Sequence, residues 1–183
     1  MKTIISDIPD YETFYRGEQT VEIGYPWLTF GAIMMLEKIL GDSRGTFNIL
    51  EMGAGGSTIF FEKRCRRLLS LEDDRAWVKK LRRRVRSDHV QIRYKRCHQF
   101  VRIIQAEPNR SFDIILADFG SGGAAYVKRQ MLLDVSIPKL KIGGWLILDN
   151  YQHLSFDYTT GWDVYTFDML RYSGRGTRFC KKL

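Results

Sequence analysis

The stretch Phe47-Asn48-Ile49-Leu50-Glu51-Met52-Gly53-Ala54-Gly55-Gly56-Ser57-Thr58 decides how the rest of this 183-residue chain is read. An apolar run ends in a carboxylate, breaks into a glycine-rich turn and restarts as Ser57-Thr58-Ile59-Phe60-Phe61. Such a pattern predicts a buried parallel strand, a tight loop and a helix whose first N–H groups face whatever the loop holds. Ser57 or Thr58 is of the type that caps such a helix. The glycines let the backbone come close to a ligand.

The chemistry of the loop narrows that ligand. A phosphate-binding P-loop needs Gly-Lys-Ser/Thr, and this loop has no lysine. A dinucleotide fingerprint needs Gly-x-Gly-x-x-Gly/Ala; Gly53 and Gly55 fit, whereas Thr58 stands in the third place. Glu51, just ahead of the turn, would repel a pyrophosphate and attract a cation. S-adenosylmethionine (SAM) carries two cationic groups, an ammonium and a sulfonium. At these residues the sequence resembles the class I SAM-dependent methyltransferases, whose first motif is acid-x-Gly-x-Gly. The resemblance implies a SAM site at Glu51, Gly53, Gly55 and Ser57.

Outward from this stretch the chain alternates strand and helix. Pro26-Trp27-Leu28-Thr29 opens a predicted helix to about Leu40, with Trp27, Ile33, Met34, Leu36, Ile39 and Leu40 on its apolar side and Gly41 closing it. Residues 67–72 read as a second strand ending in Glu72, followed by a helix over about 74–86 on which Trp77, Leu81 and Val85 share a face. Residues 89–94 alternate as a third strand, and a helix from about His98 stops before Pro108. Residues 112–118 form a fourth strand. The turn Gly120-Ser121-Gly122-Gly123 leads to a helix over about 124–137, and residues 145–150 form a fifth strand after Gly143-Gly144. The tail reads as two more strands, 164–167 and 177–180. Short strand–helix alternations predict a parallel sheet covered on both faces. The resemblance adds the details of an α/β fold. It implies a single Rossmann-like methyltransferase domain over 26–183, with a mostly parallel seven-stranded sheet, an antiparallel last strand and helices on both faces. Residues 1–25, acidic and aromatic without a clean period, read as an N-terminal arm or lid.

Composition sets outer bounds. An apolar share of 44%, a charged share of 27% and four prolines describe a globular chain of one domain. No stretch reads as a signal peptide or a membrane span. Cys65, Cys97 and Cys180 lie far apart without metal-ligand spacing, which points to reduced thiols and a cytoplasmic location. Net charge is +8, yet residues 62–110 alone carry +10. One flank should therefore be basic. Solvated helix faces account for such a run, and so does an anionic partner such as RNA or an acidic surface.

In open α/β sheets, ligands bind outside the carboxyl ends of the strands. Glu72 follows Gly53 by 19 residues, the spacing at which a carboxylate accepts from ribose hydroxyls; Asp73 or Asp74 is then left to cap the next helix. The family's adenine-contacting residue should follow the third strand, but Arg96-Cys97-His98 departs from its pattern. Asp118 and Asp149-Asn150 end the fourth and fifth strands, where hard oxygen ligands would suit Mg²⁺. The pair resembles the cation-dependent O-methyltransferases of the catechol type, and so implies metal ligation by Asp118, Asp149 and Asn150. An acid after the fourth strand also occurs in metal-free relatives, where Asp118 would belong to the SAM site, and Asp-Asn is a common turn. That catechol-type family has a lysine base three residues after the first Asp; Ser121 stands there, and His153 is the replacement base by residue type. With Asp118 it completes the candidate catalytic set. The expected function is SAM-dependent O-methylation of a small hydroxylated molecule or sugar, with Mg²⁺ as a candidate second cofactor. The alternatives are a metal-independent methyltransferase acting on RNA or another anion, and a SAM-binding protein without turnover.

Overall fold

Every residue of β1 (Asn48–Met52) is buried, which is why that run shows no polar alternation. The computed structural model describes residues 20–43, 45–119, 123–157, 159–168 and 176–183. Around β1 lie β2 (Arg67–Glu72), β3 (Val90–Tyr94), β4 (Phe112–Ala117), β5 (Leu140–Asp149), β6 (Trp162–Asp168) and β7 (Gly176–Lys182). They form one seven-stranded sheet in the order β3-β2-β1-β4-β5-β7-β6. Only β7 runs antiparallel to its neighbours. This is the expected sheet, including the reversed last strand.

Side chains of each strand divide between two helical layers, as the two-residue strand period requires. Ile49, Leu68, Ile114 and Ile147 pack toward α2 (Phe30–Ser43) and α3 (Gly56–Glu62), against Ile33, Leu36, Phe60 and Phe61. Leu50, Leu69, Ile115 and Leu146 pack toward α5 (Cys97–Ala106) and α6 (Gly123–Ser136), against Phe100, Ile104, Leu132 and Leu133. A smaller cluster joins Val21 of α1 (Thr20–Ile23) to Val78 and Leu81 of α4 (Arg75–Arg82) and to Ile92 of β3. Each fully buried aliphatic or aromatic side chain contributes about 1.5–3 kcal/mol by leaving water.

Several boundaries differ from expectation for local reasons. The first long helix runs through Gly41 to Ser43, and Gly45, at positive φ, lies just beyond it. Trp27 and Met34, assigned to the apolar side, are 43% and 47% exposed; Ala32 and Ser43 take their places inside. The helix expected over 74–86 ends at Arg82. β5 begins five residues early and absorbs Gly143-Gly144 as an irregularity in its pairing with β4. Gly120-Ser121-Gly122 and residues 1–19 of the expected arm lie outside the described residues. All three cysteines are buried and unpaired, and burial pushes the Cys65 and Cys180 thiols up to about 12. Among the described residues, no helix is long and apolar enough to cross a membrane.

Candidate functional site

The chain winds outward from β1 to β3 and then returns to β4, so the carboxyl ends of β1 and β4 flank the switch in strand order. The two ends are tied directly: Asp118 donates its backbone N–H to the Met52 carbonyl at 2.9 Å. Gly53 sits in this crevice with φ +98°, and a Cβ there would lie 1.7 Å from the Asp118 carbonyl oxygen. Only glycine fits. At the start of α3, a Cβ on Gly56 would meet the carbonyl oxygens of Tyr25 and Thr20 at 2.0 and 2.4 Å. The segment before α2 therefore lies directly over the loop.

Between loop and segment is a cavity of about 300 Å³, lined by Thr20, Trp27, Gly53, Ala54, Gly55, Gly56, Ser57, Glu72, Trp77 and Asp118. Five sequence-derived site residues thus converge there: Gly53, Gly55, Ser57, Glu72 and Asp118. Glu72 reaches it from the end of β2. Its Oε2 accepts from the Ala54 N–H at 3.0 Å, and its Oε1 accepts from the Asp73 and Asp74 N–H groups at 2.8 and 2.9 Å. Burial raises its pKa against the pull of those three bonds. Asp74 is the residue that caps α4, accepting from the Trp77 N–H at 2.9 Å. Division of labour between the neighbouring acids follows.

Glu51 is fully buried beneath the cavity rather than on its wall. Its Oε2 accepts from the Thr58 hydroxyl at 2.7 Å and from the hydroxyl of Ser70, its register partner on β2. The Thr58 oxygen in turn accepts from the Gly55 N–H at 2.9 Å. Thr58 thus braces the loop from inside the helix, and Gly55 occupies the capping position expected of Ser57 or Thr58. Desolvation lifts the Glu51 pKa to about 7, although the neighbouring hydroxyls of Ser57, Ser70 and Thr58 pull it down. Its other oxygen, Oε1, is buried without a hydrogen-bond partner among the described residues. A buried acceptor in that condition costs about 1–3 kcal/mol. A donor brought by a ligand, above all a cationic one, would relieve it.

Asp149 and Asn150 end β5 outside the cavity lining. Asp149 is 9% exposed, and its Oδ1 accepts from the Thr177 hydroxyl at 3.0 Å. Asn150 adopts left-handed backbone, φ 50°. His153 is exposed on a 3₁₀ turn over Tyr151–His153. The residue that sequence reasoning missed is Arg129, 1% exposed on α6. Its Nε and Nη2 donate to the Phe119 carbonyl at 3.1 and 2.8 Å, and its Nη1 donates to the Asp149 carbonyl. Nη2 also lies 3.9 Å from Asp118 Oδ1. A signal was present: Arg129 shares the helix face of buried Leu132, Leu133 and Ser136 at i+3, i+4 and i+7.

Arg129 bears on the expected metal. Burial raises the pKa of both Asp118 and Asp149, with Asp118 adding to the rise at Asp149, while the guanidinium lowers both. The chain itself supplies the cation at the ends of β4 and β5. A divalent ion ligated by both carboxylates would lie beside that fixed positive charge.

No family model matches the sequence, and no curated protein matches it. Solved structures do resemble it. An O-methyltransferase from Bacillus cereus, in complex with S-adenosylhomocysteine (SAH), has a TM-score of 0.65 at 17% identity, covering 96% of this chain and 93% of that one. The O-methyltransferase TomG from Streptomyces achromogenes, in complex with SAM, has a TM-score of 0.65 at 15% identity, covering 97% and 93%. An rRNA methylase from Streptococcus thermophilus has a TM-score of 0.62 at 12% identity, covering 82% and 96%. The fold of this chain is that of the class I SAM-dependent methyltransferases.

Proposed function

We propose that this chain, built on the class I methyltransferase fold, is a SAM-dependent methyltransferase. The observation that carries the reading is the cavity at the strand-order switch, with Glu72 and Asp118 on its wall and the unsatisfied Glu51 Oε1 beneath it. Similarity to proteins solved with SAH and SAM supports it.

Bound SAM would supply a methyl group already activated on a sulfonium, so the protein's task is alignment and exclusion of water. Glu51 offers its charge to the ammonium end, through Oε1 or through Ser57. Glu72 accepts from the ribose diol. Trp27 and Trp77 border the cavity and restrict water. Asp118, whose pKa is raised by burial, accepts the proton of an incoming hydroxyl; His153 is the second candidate, and its exposed turn would have to fold inward.

The acceptor reading is O-methylation of a small hydroxylated molecule or sugar without a divalent ion, in line with the near-complete coverage by O-methyltransferase structures. RNA is the second acceptor reading, favoured by the basic flank. Calorimetry with SAH tests the core of the proposal. Glu72→Ala should weaken SAH binding about tenfold or more, since bonds to an ionised group contribute about 1.5–3 kcal/mol. Unchanged affinity in that variant removes the ribose assignment, and no SAH binding by the wild type removes the transferase.

A further inference from the structure

The exposed face of α4, away from the cavity, gathers positive charge. From Arg75 to Arg96 the sequence places ten Lys/Arg against one acid, Asp88. A groove of about 1110 Å³ between α4 and the end of β3 is lined by Arg75, Lys79, Arg82 and Arg83 and by Tyr94, which is 38% exposed. A second groove, of about 390 Å³, shares Arg82 and continues along β3 past Arg86 and Arg93. None of these six cations forms an ion pair among the described residues. Arg82 and Arg93 are steadied by neutral acceptors instead, the Ile92 carbonyl at 2.6 Å and the Gln91 amide oxygen at 2.8 Å, so their charge stays uncompensated. β3 is the outermost strand on this side of the sheet.

We propose that this double groove binds a single-stranded segment of RNA, its phosphates on the α4 cations and one unstacked base on Tyr94. Unpaired cations along a concave track suit a chain-like polyanion. A flat membrane surface would not follow a concave track, whose exposed apolar residues are Tyr94 and Ala76 among the arginine and lysine stems. An aromatic ring among guanidinium groups is a stacking platform, which a base can use only out of a duplex. Single-stranded loops are the form in which RNA presents such bases. Arg75 on the groove and Trp77 on the cavity stand two residues apart on the first turn of α4, so the strand would pass beside the Glu72 end of the cavity. The groove is an anchor, remote from Asp118. It deepens the RNA reading of the acceptor but stands on different residues from the SAM site.

Fluorescence anisotropy of the full chain with a labelled single-stranded RNA of about 12 nucleotides tests this. Binding should weaken steeply between about 50 and 200 mM salt. Lys79→Glu with Arg82→Glu should reduce it tenfold or more, and Tyr94→Ala several-fold with the salt dependence retained. A control pair of equal charge change, Lys38→Glu with Lys63→Glu, should leave it within about twofold, a change worth less than 0.5 kcal/mol. SAH affinity should be unchanged in every groove variant, which also reports folding. The proposal is overturned by absent RNA binding, by an equal loss in the control pair, or by tighter binding of the same-sequence DNA, of an RNA duplex or of phosphatidylserine vesicles. Loss of RNA binding with SAH binding intact removes the groove alone; RNA binding without SAH binding removes the transferase and leaves the groove standing.

Discussion

The indole N–H of Trp77 donates to the carbonyl oxygen of Ala54 at 2.6 Å, while the N–H of the same Ala54 donates to Glu72. One residue of the glycine-rich loop is thus held at both of its backbone polar groups, by the end of β2 and by α4. Trp77→Phe keeps the ring in place and leaves that carbonyl without its donor. The expected cost is about 1–2 kcal/mol in urea denaturation, with a several-fold loss of SAH affinity by calorimetry. A stability loss with unchanged SAH affinity would mean that the loop does not shape the ligand site.

Glu51 should make both stability and binding depend on pH, in opposite directions. Its folded pKa, about 7, lies above the ordinary carboxylate value of 4.5. Between those values the unfolded chain has released the proton and the folded one retains it, so stability falls as pH rises through the window and levels off above about 7. At one pKa unit per about 1.4 kcal/mol, the fall amounts to about 3 kcal/mol. An ammonium group brought beside Glu51 favours the ionised form, so SAH affinity should rise through about pH 7. Glu51→Gln should flatten both curves in thermal denaturation and calorimetry; persistence of the affinity curve in that variant would take Glu51 out of ligand recognition.

Arg129 should be worth more to the fold than any surface ion pair. Its guanidinium satisfies two strand-end carbonyls and faces two carboxylates, so Arg129→Met leaves buried acceptors unmet and removes the balancing charge. The expected loss is about 3–5 kcal/mol in chemical denaturation. In the wild type, Mg²⁺ or a chelator should shift neither the melting temperature nor SAH affinity. A clear stabilisation by Mg²⁺ would show that the guanidinium and a metal coexist at the ends of β4 and β5.

The sheet and half of the site could be read in the residues because each depends on short-range signals. Continuous apolar runs ending in acids marked strands whose ends line up, and the spacing from Gly53 to Glu72 is the length of one loop, helix and strand. Glu51 was legible as an acid next to the loop, but its place beneath the loop depends on Ser70, a partner that only pairing of β1 with β2 brings near. Arg129 illustrates the opposite limit. Its spacing from Leu132, Leu133 and Ser136 marks it as inward-facing, but only the packing of α6 against β4 and β5 shows that it reaches two strand ends. The same packing sets an internal cation beside the carboxylates from which a metal site was inferred. Met34 was misassigned because an apolar residue at the right period can still face water, and Trp27 because it lies ahead of the helix, on the cavity wall.

The position of β7 makes the edge of the sheet depend on it. It lies between β5 and β6, and β6 hydrogen-bonds in the sheet to β7 alone. β6 comes earlier along the chain, yet its place in the sheet depends on its successor. A substitution that loosens Phe179 or Cys180 would therefore release two strands rather than one.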